Sequence, residues 1–427
     1  MSGDGLKPSR DVRLRGFADR VAVAEALRWI DAEARRLDAE EIAVGEAAGR
    51  VLAAPVTAVA DAPPQDRAAI DGFAVRAGDS LGAGDYDPVI LRLAEAAPAI
   101  APGHAVPVAA GAAWPPGADA VLPFEQAQAQ GNRIEVFAPV AAGAGIARRG
   151  QEARAGAVLL DAGHVLRPGD PGLLAALGIG RVAVVRRPRV RLVVAGAKGA
   201  GRDANGPIVS DLAARDGGLV TALASGVADQ AAIARELATP GADAILVTGR
   251  SGTGEDDVAP LALAETGDLA IHGIALRPGG STGLGRAPAR GPSPRAEDSP
   301  ARLGRAGAPE GGVPVILLPG EPLACLAAYE LFAGRLLRGL GGRGAAFPHR
   351  ICEVELAGKI VSIIGFVEFR LVRLAGGGAE PLAAPEGDGL VALLHADGFV
   401  VVPAPLEGYA PGTRIRVHLF GERAETR

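Results

Sequence analysis

The chain has 427 residues, a formal charge of −5 and a hydrophobic fraction of 48%. That apolar content suits a globular protein, and the length corresponds to about three domains. An acidic balance with 4% aromatic residues weighs against a nucleic-acid platform, and Cys325 and Cys352, the two cysteines, lack the spacing of a disulfide framework or zinc site.

Gly 61 and Pro 33 make up about a fifth of the chain, below the share at which an aperiodic sequence is read as disordered. Collagen is out, because glycine has no three-residue period. The most apolar runs, 315–318 and 399–402, fall far short of the ~20 residues that span a bilayer. Residues 1–15 show no apolar signal segment. The expectation is therefore a cytoplasmic protein with no membrane and no nucleic-acid partner. Only Lys7, Lys198 and Lys359 are lysines, so nearly every cation is Arg.

In chain order, Val23, Leu27, Ile30 and Ala34 predict an amphipathic helix over 20–36. Small and β-prone residues follow over 42–60, until Pro63-Pro64 breaks the chain. Short strands at 89–93, 105–109, 120–124 and 133–137, punctuated by Gly and Pro, predict a compact β-rich module. A short helix over 170–178 closes on Gly178. After Pro188 the pattern changes. Buried strands at 190–195, 244–248 and 315–318 alternate with helices at 208–224 and 322–340, which predicts a parallel sheet covered on both faces. Strands return at 352–356, 367–374, 398–402 and 414–419 as a small barrel or sandwich. The segment 285–312 holds 11 Gly or Pro and five Arg in 28 residues. It has too little apolar content to offset its ordering entropy, and reads as a mobile loop.

Three stretches carry chemistry. The first runs from Pro63 to Ala74 and contains Asp66 and Asp71. The second is Gly249-Arg250-Ser251-Gly252-Thr253-Gly254-Glu255-Asp256-Asp257, after a buried strand. The third is Leu318-Pro319-Gly320-Glu321-Pro322, at a strand-to-helix junction. The last two sit at carboxyl ends of parallel strands, where open α/β sheets bind ligands. Glycine-rich turns and helix starts offer backbone N–H groups to anions. Carboxylates at Glu255, Asp256 and Asp257 suit a hard cation, or equally a solvated turn.

In their order these stretches resemble the molybdopterin molybdenumtransferase family, the MoeA-type proteins and the gephyrin E domain. Residues 63–74 resemble its PPFDNSAMDGYA signature. Gly111-Ala112, 116–121 and Glu125 resemble TGAPLPxGADAVVxxE. Gly150-Gln151-Glu152 resembles the GED segment, 272–279 resembles HxVxxKPG, and 318–322 resembles LPGNP. The resemblance implies an elongated four-part α/β multidomain architecture: a discontinuous N-terminal part (1–55 plus 147–187), an inserted β-rich module (56–146), a central molybdopterin-binding-type parallel α/β domain (188–345) and a C-terminal β-barrel (346–427). It implies insertion of molybdate into adenylylated molybdopterin with release of AMP, supported by Mg²⁺. It also implies a homodimer, with a molybdopterin-adenylating protein or a recipient molybdoenzyme as further partners. Carried onto this chain, Asp71, Glu152 and Arg277 are the catalytic candidates. Gly249, Arg250, Ser251, Gly252, Thr253, Gly254, Pro278, Gly279, Pro319 and Gly320 line the cofactor site, and Glu255 and Asp257 hold metal.

The sequence departs from the family at several of these places. Ala110 stands for a Thr, Ala197-Lys198 for two acids, Arg250 for a Gly, Asp256 for a Tyr, Gly280 for the second Lys of KPGKP, and Glu321 for an Asn. A second expectation follows: an impaired paralogue acting as a dimeric molybdopterin-binding or assembly module. No two of the six histidines are spaced for a helical metal pair. His272 lines the pocket or is structural. Cys325 is an activated thiol or a core residue. Arg148-Arg149 steers an anion or is a solvated pair. Trp29 and Trp114 read as packing residues.

Overall fold

The computed structural model describes residues 11–94, 99–196, 203–288, 312–382 and 389–421. Contacts divide the chain into two units, Glu41–Val184 and, discontinuously, Met1–Glu40 with Val185–Arg427.

In the unit Glu41–Val184, the β-rich module is a six-stranded sheet. Its strand order is Ala120–Pro123, Gly72–Val75, His104–Val108, Val89–Leu93, Arg133–Val136 and Ala127–Gln130. Alternate residues face one core of Phe73, Val75, Leu91, Leu122, Ile134 and Val136. A second core gathers Leu52, Leu166, Leu174 and Val184 beside the helix Asp170–Ala176. Asp170, buried at the start of that helix, accepts from Arg167 and His164, and Arg167 foremost holds its carboxyl far below the usual range.

In the other unit, a six-stranded sheet has the order Leu219–Val227, Arg189–Ala195, Ala244–Thr248, Val313–Leu318, Gly283–Ala287 and Asp268–His272. The first four strands are parallel, and Gly283–Ala287 runs against both of its neighbours. Ala244–Thr248 and Val313–Leu318 are buried throughout because both faces are covered. Leu246 and Ile316 pack with Ile30, Val209 and Phe332 on one face. Ile245 and Leu317 pack with Ile233 and Leu263 on the other.

Two sequence expectations are corrected. The helix expected over 208–224 is Asn205–Arg215; it ends at Gly217, whose φ is +89°, and the chain turns into the strand Leu219–Val227. Gly285, Arg286 and Ala287, expected to begin a mobile loop, belong to the strand Gly283–Ala287. Strand pairing replaces the apolar burial that composition said was lacking; residues 289–311 of that expected loop lie outside the described residues.

The long helix expected over 322–340 forms as Pro322–Ala328, a π-turn Tyr329–Ala333 and Gly334–Leu340. The π-turn places Tyr329 and Glu330 in a buried polar cluster. Arg215 donates to Glu330 at 2.7 Å and to Asp216 at 2.8 Å, and Arg338 donates to Asp216 at 2.9 Å.

The C-terminal strands Val367–Ala375, Gly378–Pro381, Arg350–Leu356, Arg414–Leu419 and Gly398–Val402 close into a five-stranded barrel through pairing of the first with the last. Leu276–Arg277 joins it as a parallel edge beside Val367–Glu368. Among the described residues no helix is long and apolar enough to cross a membrane.

Candidate functional site

Three parallel strands end side by side, with Val194 beside Thr248 and Thr248 beside Leu318. Gly249 leaves the central strand at φ +84°, and its N–H donates to the Leu318 carbonyl at 3.0 Å. A Cβ there would overlap the Ala195 carbonyl oxygen, and one on Gly320 would lie 3.3 Å from Gly249 Cα. Glycine at both places lets the 249–254 loop and the Pro319-Gly320 turn meet.

Ser251 is buried beneath them and donates to the Leu318 carbonyl at 3.3 Å. His272 Nε2 lies 2.9 Å from the Ser251 carbonyl. A carbonyl only accepts, so Nε2 carries the proton of the neutral ring. Burial holds this imidazole below its ordinary pKa.

Thr248 Oγ1 and Asn205 Oδ1, both at this end of the sheet, are buried and have no hydrogen-bond partner among the described residues. Asn205 opens the helix Asn205–Arg215, and its Nδ2 donates to the Gly320 carbonyl at 2.8 Å. Buried polar atoms are ordinarily satisfied, so two orphans at one strand-end junction are open to a polar ligand. Sequence reasoning did not single out either residue. A helix-start Asn looks like a cap, and the last Thr of a buried strand looks like packing. Ala197 and Lys198, expected at the neighbouring strand end, lie outside the described residues.

The acidic turn is tied up locally. Asp257 Oδ2 accepts from the Gly254 N–H at 2.7 Å, so this amide points to the chain's own carboxylate and not to an outside anion. Asp256 pairs with Arg250 at 3.1 Å, while Arg250 sits at φ +56°. A side-chain-bearing residue in that region carries roughly 1–2 kcal/mol of strain. The two departures from the family pattern, Arg250 and Asp256, thus act as a pair. The N-terminal segment lies along the loop, with Leu14 N–H donating to the Thr253 carbonyl at 2.7 Å and Arg13 Nη1 to the Glu255 carbonyl at 3.3 Å. No group of three or more His, Cys, Asp or Glu among the described residues is placed to hold a metal ion. Glu255 and Asp257 remain as two carboxylates on one turn. That donor set fits Mg²⁺ in its usual mode, with one or two carboxylates completed by phosphate and water.

Arg277, exposed, begins the turn Arg277-Pro278-Gly279-Gly280, and Gly279 sits at φ +121°. Thr282 Oγ1 donates to the Gly279 carbonyl at 2.7 Å and pins the turn. Among the described residues no carboxylate pairs with Arg277.

Of the remaining candidates, Asp66, Asp71, Arg148, Arg149 and Glu152 belong to the unit Glu41–Val184. Asp71 is exposed, and its Oδ1 accepts from the Ala110 N–H at 2.8 Å. The backbone of Ala110 thus makes this contact despite the missing hydroxyl. Glu152, also exposed, lies 3.6 Å from Arg67. Asp66 accepts from the Arg149 N–H and from Arg148 Nη1, both at 2.8 Å, which hold its carboxyl below the ordinary range. Arg149 pairs with Asp61 at 2.6 Å. Arg148 and Arg149 therefore fix the signature stretch and are not a merely solvated pair. Cys325 is buried in the core, and burial pushes its thiol upward, so it is not activated.

A family profile described as the MoeA N-terminal region (domain I and II) matches residues 21–178, and one described as "probable molybdopterin binding domain" matches residues 180–338. The chain is 25% identical over 424 residues to a molybdopterin molybdenumtransferase of Staphylococcus aureus, covering 93% of this chain and 95% of that protein. It is 29% identical over 401 residues to molybdopterin molybdenumtransferase 2 of Mycobacterium tuberculosis, covering 87% and 93%. The crystal structure of the molybdopterin biosynthesis MoeA protein of Pyrococcus horikoshii matches with a TM-score of 0.74 at 26% identity, over 94% of this chain and 100% of that one.

Proposed function

The chain belongs to the MoeA-type molybdopterin molybdenumtransferase family of molybdenum cofactor biosynthesis, and on that premise we propose that it inserts molybdate into adenylylated molybdopterin and releases AMP. The observation that carries this reading is the junction of three strand ends at Gly249 and Gly320, with Thr248 Oγ1 and Asn205 Oδ1 buried and unpartnered among the described residues.

A pterin phosphate seated there finds the backbone N–H groups of Arg250, Ser251, Gly252 and Thr253, in the loop that Gly249 opens with its own N–H bonded to the Leu318 carbonyl. The Pro319-Gly320 turn bounds the same place. Gly254 and Asp257 brace the loop through their own hydrogen bond, leaving Asp257 Oδ1 and Glu255 to hold Mg²⁺. When bound, Mg²⁺ neutralises charge on the pyrophosphate. Arg277, with Pro278 and Gly279 shaping its turn, offsets charge on the oxyanion. In the unit Glu41–Val184, the family signature makes Asp71, whose Oδ1 accepts from the Ala110 amide, and Glu152 the candidate catalytic carboxylates.

Oligomer and location belong to the same proposal: a cytoplasmic homodimer that receives its substrate from a molybdopterin-adenylating protein or passes the cofactor to a molybdoenzyme. A binding-only module is not favoured, since the relatives matched along nearly the whole chain are named as transferases. The test is complementation. Expression in a strain lacking its own transferase restores molybdoenzyme activity if the reading holds. Normal accumulation of folded protein without restoration refutes it.

A further inference from the structure

We infer that Arg20 supplies the second cation of the oxyanion site, reaching in from the N-terminal segment to the space left open above Gly280. This rests on the transferase reading and names a specificity residue within it. The turn Arg277-Pro278-Gly279-Gly280 carries one cation where the family pattern carries two.

The structure fills that gap with a different residue. A Cβ on Gly280 would overlap Arg20 Nη1 and lie 3.2 Å from its Cζ, so the guanidinium occupies the place of a side chain at 280. Arg20 Nη1 donates to the Gly280 carbonyl at 2.8 Å, across 260 residues of sequence. The guanidinium stands 4.7 Å from the Phe17 ring centre and 6.0 Å from that of Phe366, and these faces fix its position. Phe17 in turn packs edge-on against His272 at 4.9 Å, tying this segment to the Gly-rich loop through the Ser251 carbonyl.

Among the described residues no carboxylate neutralises either Arg20 or Arg277, and both are exposed. Burial first, and the neighbouring Arg277 second, depress the Arg20 pKa. Two neighbouring guanidiniums, one of them held by the Gly280 carbonyl and the Phe17 ring, with no carboxylate paired to either among the described residues, make a receptor for a tetrahedral oxyanion. Molybdate and a substrate phosphate share that chemistry.

The experiment is an exchange of cations. Calorimetric titration of the full-length protein with molybdate and, separately, with inorganic phosphate measures oxyanion affinity, and AMP release gives KM and kcat for molybdate. Arg20→Ala lowers molybdate affinity about tenfold and raises KM with little change in kcat. Gly280→Lys alone weakens binding too, because it collides with Arg20. The double variant Arg20→Ala with Gly280→Lys recovers most of the affinity, because removing Arg20 frees the space; Gly280 is not in the left-handed region. A phosphate response that follows the same pattern at similar strength assigns the pair to the substrate phosphate, and a molybdate-only response assigns it to the metal oxyanion. If molybdate and phosphate affinity are unchanged in Arg20→Ala, or if the double variant is no better than Arg20→Ala alone, the inference is overturned. Absence of AMP release in the wild type, by contrast, overturns the transferase reading and leaves the titration result to stand or fall separately.

Discussion

Gly249→Ala is the substitution for which the geometry gives the clearest magnitude. The native φ of +84° is one that alanine adopts at a cost of roughly 1–2 kcal/mol. The added methyl also meets the Ala195 carbonyl oxygen, backbone that cannot rotate away, so the loop must shift. Overpacking of this kind costs about 1–3 kcal/mol. The sum is about 2–5 kcal/mol, less than the stability of an ordinary domain, so the protein still folds. The displaced loop separates from Gly320, and turnover falls with it. The chain has two tryptophans, and Trp29 packs on the α/β core while Trp114 lies in the other unit. In a Trp114→Phe background, the fluorescence of Trp29 reports urea unfolding of the α/β part alone. Its midpoint is expected to drop by roughly 1–2 M, with AMP release reduced at least tenfold. An unchanged midpoint with unchanged turnover would show that the strand ends do not meet as described.

Four further outcomes are expected. Glu330→Gln strips a fully buried carboxylate from Arg215, which donates to it at 2.7 Å and 3.0 Å; breaking one side of a buried pair costs about 3–5 kcal/mol, visible as a lowered melting temperature. Thiol reagent at pH 8 labels Cys352 in the native protein and leaves Cys325 untouched until denaturant is added, since burial raises its pKa; native labelling of Cys325 would contradict this packing. His272 and His418 are both held below the ordinary imidazole pKa, by burial foremost. Below about pH 6.5 the unfolded chain binds protons that the native chain refuses, so stability falls as pH drops from about 7 to 5; a flat urea midpoint over that window would refute the assignment. Chelation of Mg²⁺ abolishes AMP release, and Asp257→Asn raises the Mg²⁺ concentration required while retaining the bond from the Gly254 amide; an unaltered Mg²⁺ requirement would remove Asp257 from metal binding.

Much of the fold is legible in the chain because burial leaves a direct trace. Ala244–Thr248 and Val313–Leu318 are apolar without alternation, as strands covered on both faces must be. The strand Leu219–Val227 escaped because it is a sheet edge with small residues, exposed at alternate positions, following a helix with similar composition. Gly217-Gly218 was the available signal for the break. Gly283–Ala287 escaped because its glycines suggest a loop; in fact a Cβ on Gly283 would lie 3.0 Å from Leu317 Cδ1, so close approach of a neighbouring strand explains that glycine.

The site divides in the same way. Loop motifs such as 249–257 and 318–322 are local in sequence and were readable. Thr248 and Asn205 matter only because their oxygens are orphaned in three dimensions. Arg20 has no local signature at all, because its partner at Gly280 is distant in the chain. Substitutions that looked like losses one by one, Arg250 with Asp256 and Gly280 alone, acquire partners only in the folded protein.

Molybdenum insertion is read out most directly as AMP release by the purified protein from adenylylated molybdopterin, with molybdate and Mg²⁺ supplied. AMP is expected to form in proportion to enzyme and in dependence on molybdate and Mg²⁺, and to fall when Asp71→Ala removes the carboxylate held by the Ala110 amide. Background AMP release from a protein shown to be folded would contradict it.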